Sequence, residues 1–187
     1  MKRVILITFF SIYLLHNNLY SLNLDIGGKG GFGFGTQVAN GVSQGMLSHG
    51  GIGFTVEVGL YKSLSLEGNI IIQEKGGSYS GNRELSLTYL QFPLLAKYYV
   101  YNGFWLGAGF NFGISFISSF PGGSVEPMDF GFLLGFGEKF PLNKSKTLFI
   151  TAEFIYDRGF FDTLKSESGK NQNRTYMLYF GILYRLY

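Results

Sequence analysis

Gly103-Phe-Trp-Leu-Gly-Ala-Gly-Phe-Asn-Phe-Gly-Ile-Ser-Phe116 sets Phe104, Leu106, Ala108, Phe110, Phe112, Ile114 and Phe116 against Trp105, Gly107, Gly109, Asn111, Gly113 and Ser115. An apolar residue at every second position describes a strand with one greasy face and one small or polar face. The same alternation recurs near 23–36, 51–61, 63–74, 85–100, 128–140, 147–159 and 174–187, which makes eight stretches in all. In a water-soluble barrel the apolar phase turns inward. Here Asp, Glu, Lys and Arg crowd onto the opposite phase, so the faces read as inverted, with lipid outside and polar groups within. The fold class predicted is all-β, an eight-stranded antiparallel transmembrane up-and-down β-barrel.

Length and composition agree with that reading. The chain has 187 residues, of which 14% are charged and 18% aromatic, with 28 glycines and no cysteine. Disulfides, thiolate nucleophiles and Cys-based zinc sites are thereby excluded. Lys2 and Arg3 precede the apolar run Val4 to Leu15, and Ser21 stands just before the first alternating stretch. This layout is that of a secretory signal peptide, too short to span a bilayer as a helix. Residues 1–21 are therefore read as the signal and 22–187 as one barrel domain. Without Lys2 and Arg3, 13 of the 15 basic residues remain against 12 acidic ones, a balance of +1, which gives no ground for expecting a nucleic-acid partner.

The connections alternate in length. Those at 37–50, 75–84, 117–127 and 160–173 are long, whereas Lys62, Tyr101-Asn102 and 141–146 are short. Outer-membrane barrels have short periplasmic turns and long outer loops, which places the termini in the periplasm. Tyr61, Tyr98, Tyr99, Tyr101, Phe104, Trp105, Phe140, Tyr184 and Tyr187 then collect at the inner interface as an aromatic girdle, while Tyr89, Phe116, Phe120, Tyr156, Phe160, Phe161 and Tyr176 form a looser one at the other end.

The polar phase places Asp25, Lys29, Glu57, Glu67, Asn69, Gln73, Gln91, Lys97, Asn111, Lys139, Glu153, Asp157 and Arg185 inside. A barrel of eight strands is filled by its own side chains, so these charges should pair with one another and plug the lumen. Interior glycines such as Gly27, Gly31, Gly33, Gly107, Gly109, Gly135 and Gly181 would make room for long charged side chains. Glu138 falls on the apolar phase, near a strand end where the cost is modest. Leu85, Leu87 and Tyr89 share a phase with Lys97, which predicts a bulge near Tyr89 to Pro93 that resets the alternation.

The segment Tyr89-Leu-Gln-Phe-Pro-Leu-Leu-Ala-Lys-Tyr98, preceded by Ile70-Ile-Ile-Gln-Glu-Lys-Gly-Gly77, resembles the PorT-like family of bacterial outer-membrane β-barrel proteins. Gly107-Ala-Gly109 and Gly131 to Gly137 look like that family's Gly-rich strands, and Gln91 stands where the family often has an acid. The resemblance implies a small barrel similar in architecture to the OmpA/OmpX type. The ending Phe180-Gly-Ile-Leu-Tyr-Arg-Leu-Tyr187 is similar to the C-terminal signal read by barrel-insertion machinery, which would be a transient partner.

Chemical motifs are sparse. Gly28-Lys-Gly-Gly-Phe-Gly33 matches a dinucleotide fingerprint but lies in a strand with no helix to follow. Ser48 and His49, with Glu57, are the only material for a hydrolytic triad of the kind a lipid-modifying outer-membrane enzyme would need, and adjacent residues on a Gly-rich loop are poorly placed for it. A secreted lipocalin-like carrier would require the opposite faces, with a polar outside. No catalytic, metal or cofactor site is expected. The expectation is a monomer embedded in outer-membrane lipids whose role is structural or lies in binding an extracellular or envelope protein (adhesion, envelope integrity or partner docking). The loop residues Gln44, His49, Lys165, Glu167, Lys170 and Arg174 would form the contact surface.

Overall fold

The computed structural model describes residues 23–39, 42–43, 45–79, 83–119, 127–160 and 171–186. Its strands are β1 (Leu24–Ala39), β2 (Val42–Ser43), β3 (Leu47–Tyr61), β4 (Leu64–Tyr79), β5 (Arg83–Tyr101), β6 (Phe104–Ser119), β7 (Met128–Pro141), β8 (Leu148–Gly159) and β9 (Asn171–Arg185). β2 is a two-residue piece paired with the far end of β1. The other eight run as nearest-neighbour antiparallel strands, and β1 pairs with β9 from Asp25↔Arg185 to Ala39↔Asn171. The sheet is therefore a closed up-and-down barrel, and closure removes every long edge that hydrocarbon could not satisfy. The segment read as a signal lies outside the described residues.

Turn chemistry fixes the register. Asn102 and Gly103 have φ of 41° and 96°, so both central residues of the β5–β6 hairpin are left-handed, the geometry that favours Asn-Gly. A Cβ on Gly103 would also lie 2.3 Å from the carbonyl oxygen of Lys139. Between β7 and β8, the Asn143 side-chain oxygen accepts from the amides of Thr147 (2.9 Å) and Leu148 (3.2 Å).

The strands run further toward the long connections than hydrophobic alternation marks. β3 begins at Leu47, β4 continues to Tyr79, β5 starts at Arg83, and β9 starts at Asn171. Beyond the apolar band the outward face turns polar while the ladder hydrogen bonds continue, so the period-2 signal fades before the strand does.

The reset expected within β5 near Tyr89 to Pro93 does not occur; the irregularity is a bulge on the neighbouring strand β6. Thr88 pairs with Ile117 and Tyr89 with Ser115, leaving Phe116 as the extra residue of β6. Phe116 and Ile117 are accordingly both exposed on the outside. β5 keeps one phase throughout: Leu87, Tyr89, Gln91, Leu95 and Lys97 are all buried inside. Around Pro93, which has no N–H to donate, the β4–β5 ladder is interrupted without a change of register, from Gly68↔Leu94 to Ile71↔Gln91.

Candidate functional site

The exterior is a band of Phe32, Ile52, Phe54, Ile70, Ile72, Leu94, Leu106, Phe110, Leu134, Phe136, Phe180 and Ile182, all exposed. The interior is ionic and arranged in tiers. At the short-turn end Arg185 holds Asp25 through two parallel bonds, Nε to Oδ1 at 2.8 Å and the terminal nitrogen to Oδ2 at 3.0 Å. Lys139 Nζ bridges Asp25 (2.5 Å) and Glu57 (2.9 Å), and the Tyr99 hydroxyl donates to Glu57 at 2.7 Å. One step deeper, Lys29 donates to Glu67 at 2.6 Å and Glu153 at 2.8 Å. Lys97 donates to Glu67, to Glu153 at 2.7 Å and to Glu57 at 3.5 Å. Four cations thus face four carboxylates, and nearly every group in this tier has lost its water. An ionic core of this kind survives only because each charge is compensated.

Above it lies an apolar layer of Ile71, Leu95, Leu133, Ile155, Met177 and Tyr179, with Trp105 at its lower edge. The indole sits under Lys97, its ring centroid 4.1 Å from Nζ. Cβ atoms on Gly107, Gly135 and Gly137 would come within 3.1, 3.3 and 3.0 Å of that indole, so these three glycines form its slot. Gly107 and Gly135 therefore make room for an aromatic ring, where the sequence reading assigned them to charged side chains.

The far tier is smaller and unbalanced. Lys75 donates to Asp129 at 3.0 Å and to Asp157 at 2.6 Å. Asn111 donates to Asp157 at 2.8 Å, Asn173 to Asp129 at 3.3 Å, and Gln37 to Asn173. The Tyr179 hydroxyl donates to Gln73 at 2.7 Å. A cavity of about 20 Å³ lies among Asn69, Gln73, Gln91, Asn111 and Tyr179, enough for about one water molecule. Toward the long-connection end, a Cβ on Gly77 would lie 2.6 Å from the Gln37 amide nitrogen, so β1 and β4 meet across the lumen there. The opposite end opens into a vestibule of about 740 Å³ lined by Asp25, Glu57, Lys62, Tyr99, Lys139 and Arg185, among others.

The structure brings the sequence-predicted interior residues together as two clusters with an apolar layer between, where alternation alone read as one network. Lys75 and Asp129 were missed. Lys75 was assigned to a loop, and Asp129 shares the phase of Lys139, a signal present in the sequence and left unused.

Trp105 and Tyr99 depart from the girdle expected of them. Trp105 is fully buried on the inward phase of β6, and Tyr99 is half-buried with its hydroxyl on Glu57. Trp105 alternates with Phe104 and Leu106, which already hold the outward positions. Tyr89 is likewise interior. Tyr61, Tyr98, Tyr101, Phe104, Phe140 and Tyr184 are exposed at the short-turn end; Tyr187 lies outside the described residues.

Of the loop contacts, Gln44, Lys165, Glu167 and Lys170 lie outside the described residues. His49 is not a loop residue: it is buried in β3, packed on Gly35, and its Nε2 is 3.3 Å from the Gly76 carbonyl oxygen. Ser48 is exposed on the other face of the strand, and Glu57, eight residues on, is roughly 26 Å along it. Those three groups form no catalytic constellation. Arg174 is in β9, opposite Arg158.

No family model matches this chain, and no curated protein sequence does. Similar folds are nevertheless found among solved structures. The outer membrane protein OprG from Pseudomonas aeruginosa superposes with a TM-score of 0.60 at 13% identity, covering 89% of this chain and 97% of that one. Neisserial surface protein A superposes with a TM-score of 0.52 at 10% identity, covering 86% and 96%. The chain has the fold of outer-membrane β-barrels.

Proposed function

We propose that this chain is an integral, monomeric protein of a bacterial outer membrane, with its short turns and termini in the periplasm and its long connections outside. The PorT-like resemblance is in keeping with that class. The observation carrying the reading is the inversion of faces: an encircling band of exposed Phe, Leu and Ile around an interior of paired charges. Such a surface aggregates in water and is at home only in hydrocarbon. The apolar layer and the meeting of β1 with β4 fill the interior, which argues against an open channel through the lumen. Its role is structural, or is exercised by docking an extracellular or envelope partner on the long connections, by the general rule that a rigid scaffold displays function on its loops. Barrel-insertion machinery handles it during assembly.

Two measurements test this. Outer-membrane fractions should yield a species whose electrophoretic mobility shifts only on boiling, and recovery as a soluble protein without that shift would overturn the membrane assignment. Protease added to intact cells should cut within 161–170 and spare Lys62 and Lys146; the reverse pattern would invert the orientation.

A further inference from the structure

Among strand residues whose side chains are described, Lys29, Lys75, Lys97, Lys139 and Arg185 point into the barrel, and the cations pointing outward are Arg158 and Arg174. They stand directly opposite each other on β8 and β9. Directly opposed positions have Cβ atoms about 5 Å apart, and like charges there repel. Neither arginine has a carboxylate partner among the described residues, and the Nε of Arg174 is buried without an acceptor. Two forked cations at directly opposed positions, with no counter-charge among the described residues, offer paired N–H donors suited to a phosphate group.

Their depth identifies where that phosphate comes from. Leu148 begins the outward face of β8, and Arg158 lies ten residues further on. That separation is about 33 Å along the strand and about 25 Å along the axis at a tilt near 40°, the height of an outer-membrane barrel's apolar band. The pair therefore sits where hydrocarbon meets headgroups on the long-connection side. Directly beneath it the Tyr156 and Tyr176 rings meet at a tilt with centroids 5.1 Å apart, and Phe154 follows at 6.5 Å from Tyr176. Above it the Gln172 side chain is tied to the Phe160 carbonyl at 3.1 Å. An anionic slot over an aromatic ramp fits an amphiphile, phosphate at the top and acyl chain below.

We infer that Arg158 and Arg174 form a binding site for a phosphate-bearing lipid of the outer leaflet. The orientation rests on the function proposed above. The test is lipid titration of the detergent-purified full chain followed by native mass spectrometry, with diphosphorylated lipid A, its dephosphorylated form and inorganic phosphate as probes. Wild type should prefer the phosphorylated lipid about 10-fold or more, and the R158A/R174A double variant should lose about 100-fold in affinity, as expected when charge-assisted bonds are removed. The R158K/R174K variant should fall between, and K62A/K146A at the opposite end should bind as wild type. Equal binding by R158A/R174A, or loss confined to K62A/K146A, overturns the assignment. Full competition by equimolar inorganic phosphate would reduce the site to one for free anions and overturn the lipid claim. The boiling-dependent mobility shift of every variant is read in parallel. If wild type itself fails that test, the membrane reading has failed; if it passes while binding ignores phosphate, only the arginine site has.

Discussion

Replacing Lys97 with Met separates the ionic core from simple packing. The side chain is fully buried and its ammonium faces Glu57, Glu67 and Glu153 above the Trp105 ring. Met retains most of the stem volume but removes the charge, leaving three cations against four carboxylates. Lys29 still touches Glu67 and Glu153, and Lys139 still touches Glu57, so no carboxylate is wholly abandoned. Removing one member of a buried ionic cluster costs about 3–5 kcal/mol, equivalent to a factor of about 150 to 5,000 in the unfolding equilibrium. The loss of the cation over the indole is included in that figure. Adding Glu67→Gln removes one negative charge and restores the balance, so the double variant should recover about 1–3 kcal/mol relative to additivity. Urea unfolding in lipid vesicles, followed by the boiling-dependent mobility shift, supplies all three values. If Lys97→Met costs under about 1 kcal/mol, or the double variant is additive, the carboxylates are solvated in the native state and the description of a dehydrated ionic core is wrong.

Three further outcomes follow from the geometry. The chain's one tryptophan, Trp105, is interior, so brominated acyl chains should leave its fluorescence nearly unquenched; strong quenching would return it to the lipid-facing girdle. Gly109→Ala should prevent or severely weaken assembly, because its Cβ would lie 1.9 Å from the Leu94 carbonyl oxygen, whereas outward-facing Gly30→Ala meets nothing nearer than 3.7 Å and should stay within about 0.5 kcal/mol of wild type. In planar bilayers wild type should give no stepwise conductance, while the double substitution Leu133→Gly and Met177→Gly, which opens the apolar layer, should give small steps and should cost about 2–5 kcal/mol per site; conductance in wild type would refute the filled lumen.

Strand number, the sense of each face and most interior charges were legible from alternation, because a membrane barrel must satisfy the period-2 pattern on every strand. What alternation could not convey was depth. Lys97 and Lys75 share a phase with Leu95 and Ile71, and only the sheet's register separates ionic tiers from the apolar layer between them. Trp105 was misplaced because an aromatic near a strand end was weighed by type, although its phase already pointed inward. His49 and Lys75 were assigned to loops because the strands outlast their lipid contact. The pairing of Arg158 with Arg174 depends on cross-strand register, which no single stretch of sequence states.

The ion pairs of the lower tier join residues remote along the chain: Lys29 with Glu153, Lys139 with Asp25, Arg185 with Asp25. A lone hairpin from β1 and β3 carries Asp25, Lys29 and Glu57 with none of their cross-barrel partners. A partly assembled sheet entering hydrocarbon would thus expose uncompensated charges on its concave side, and hairpins cannot be added one by one at acceptable cost. Without machinery to shield those charges, insertion and closure would have to be a single cooperative event, completed at the β1–β9 seam.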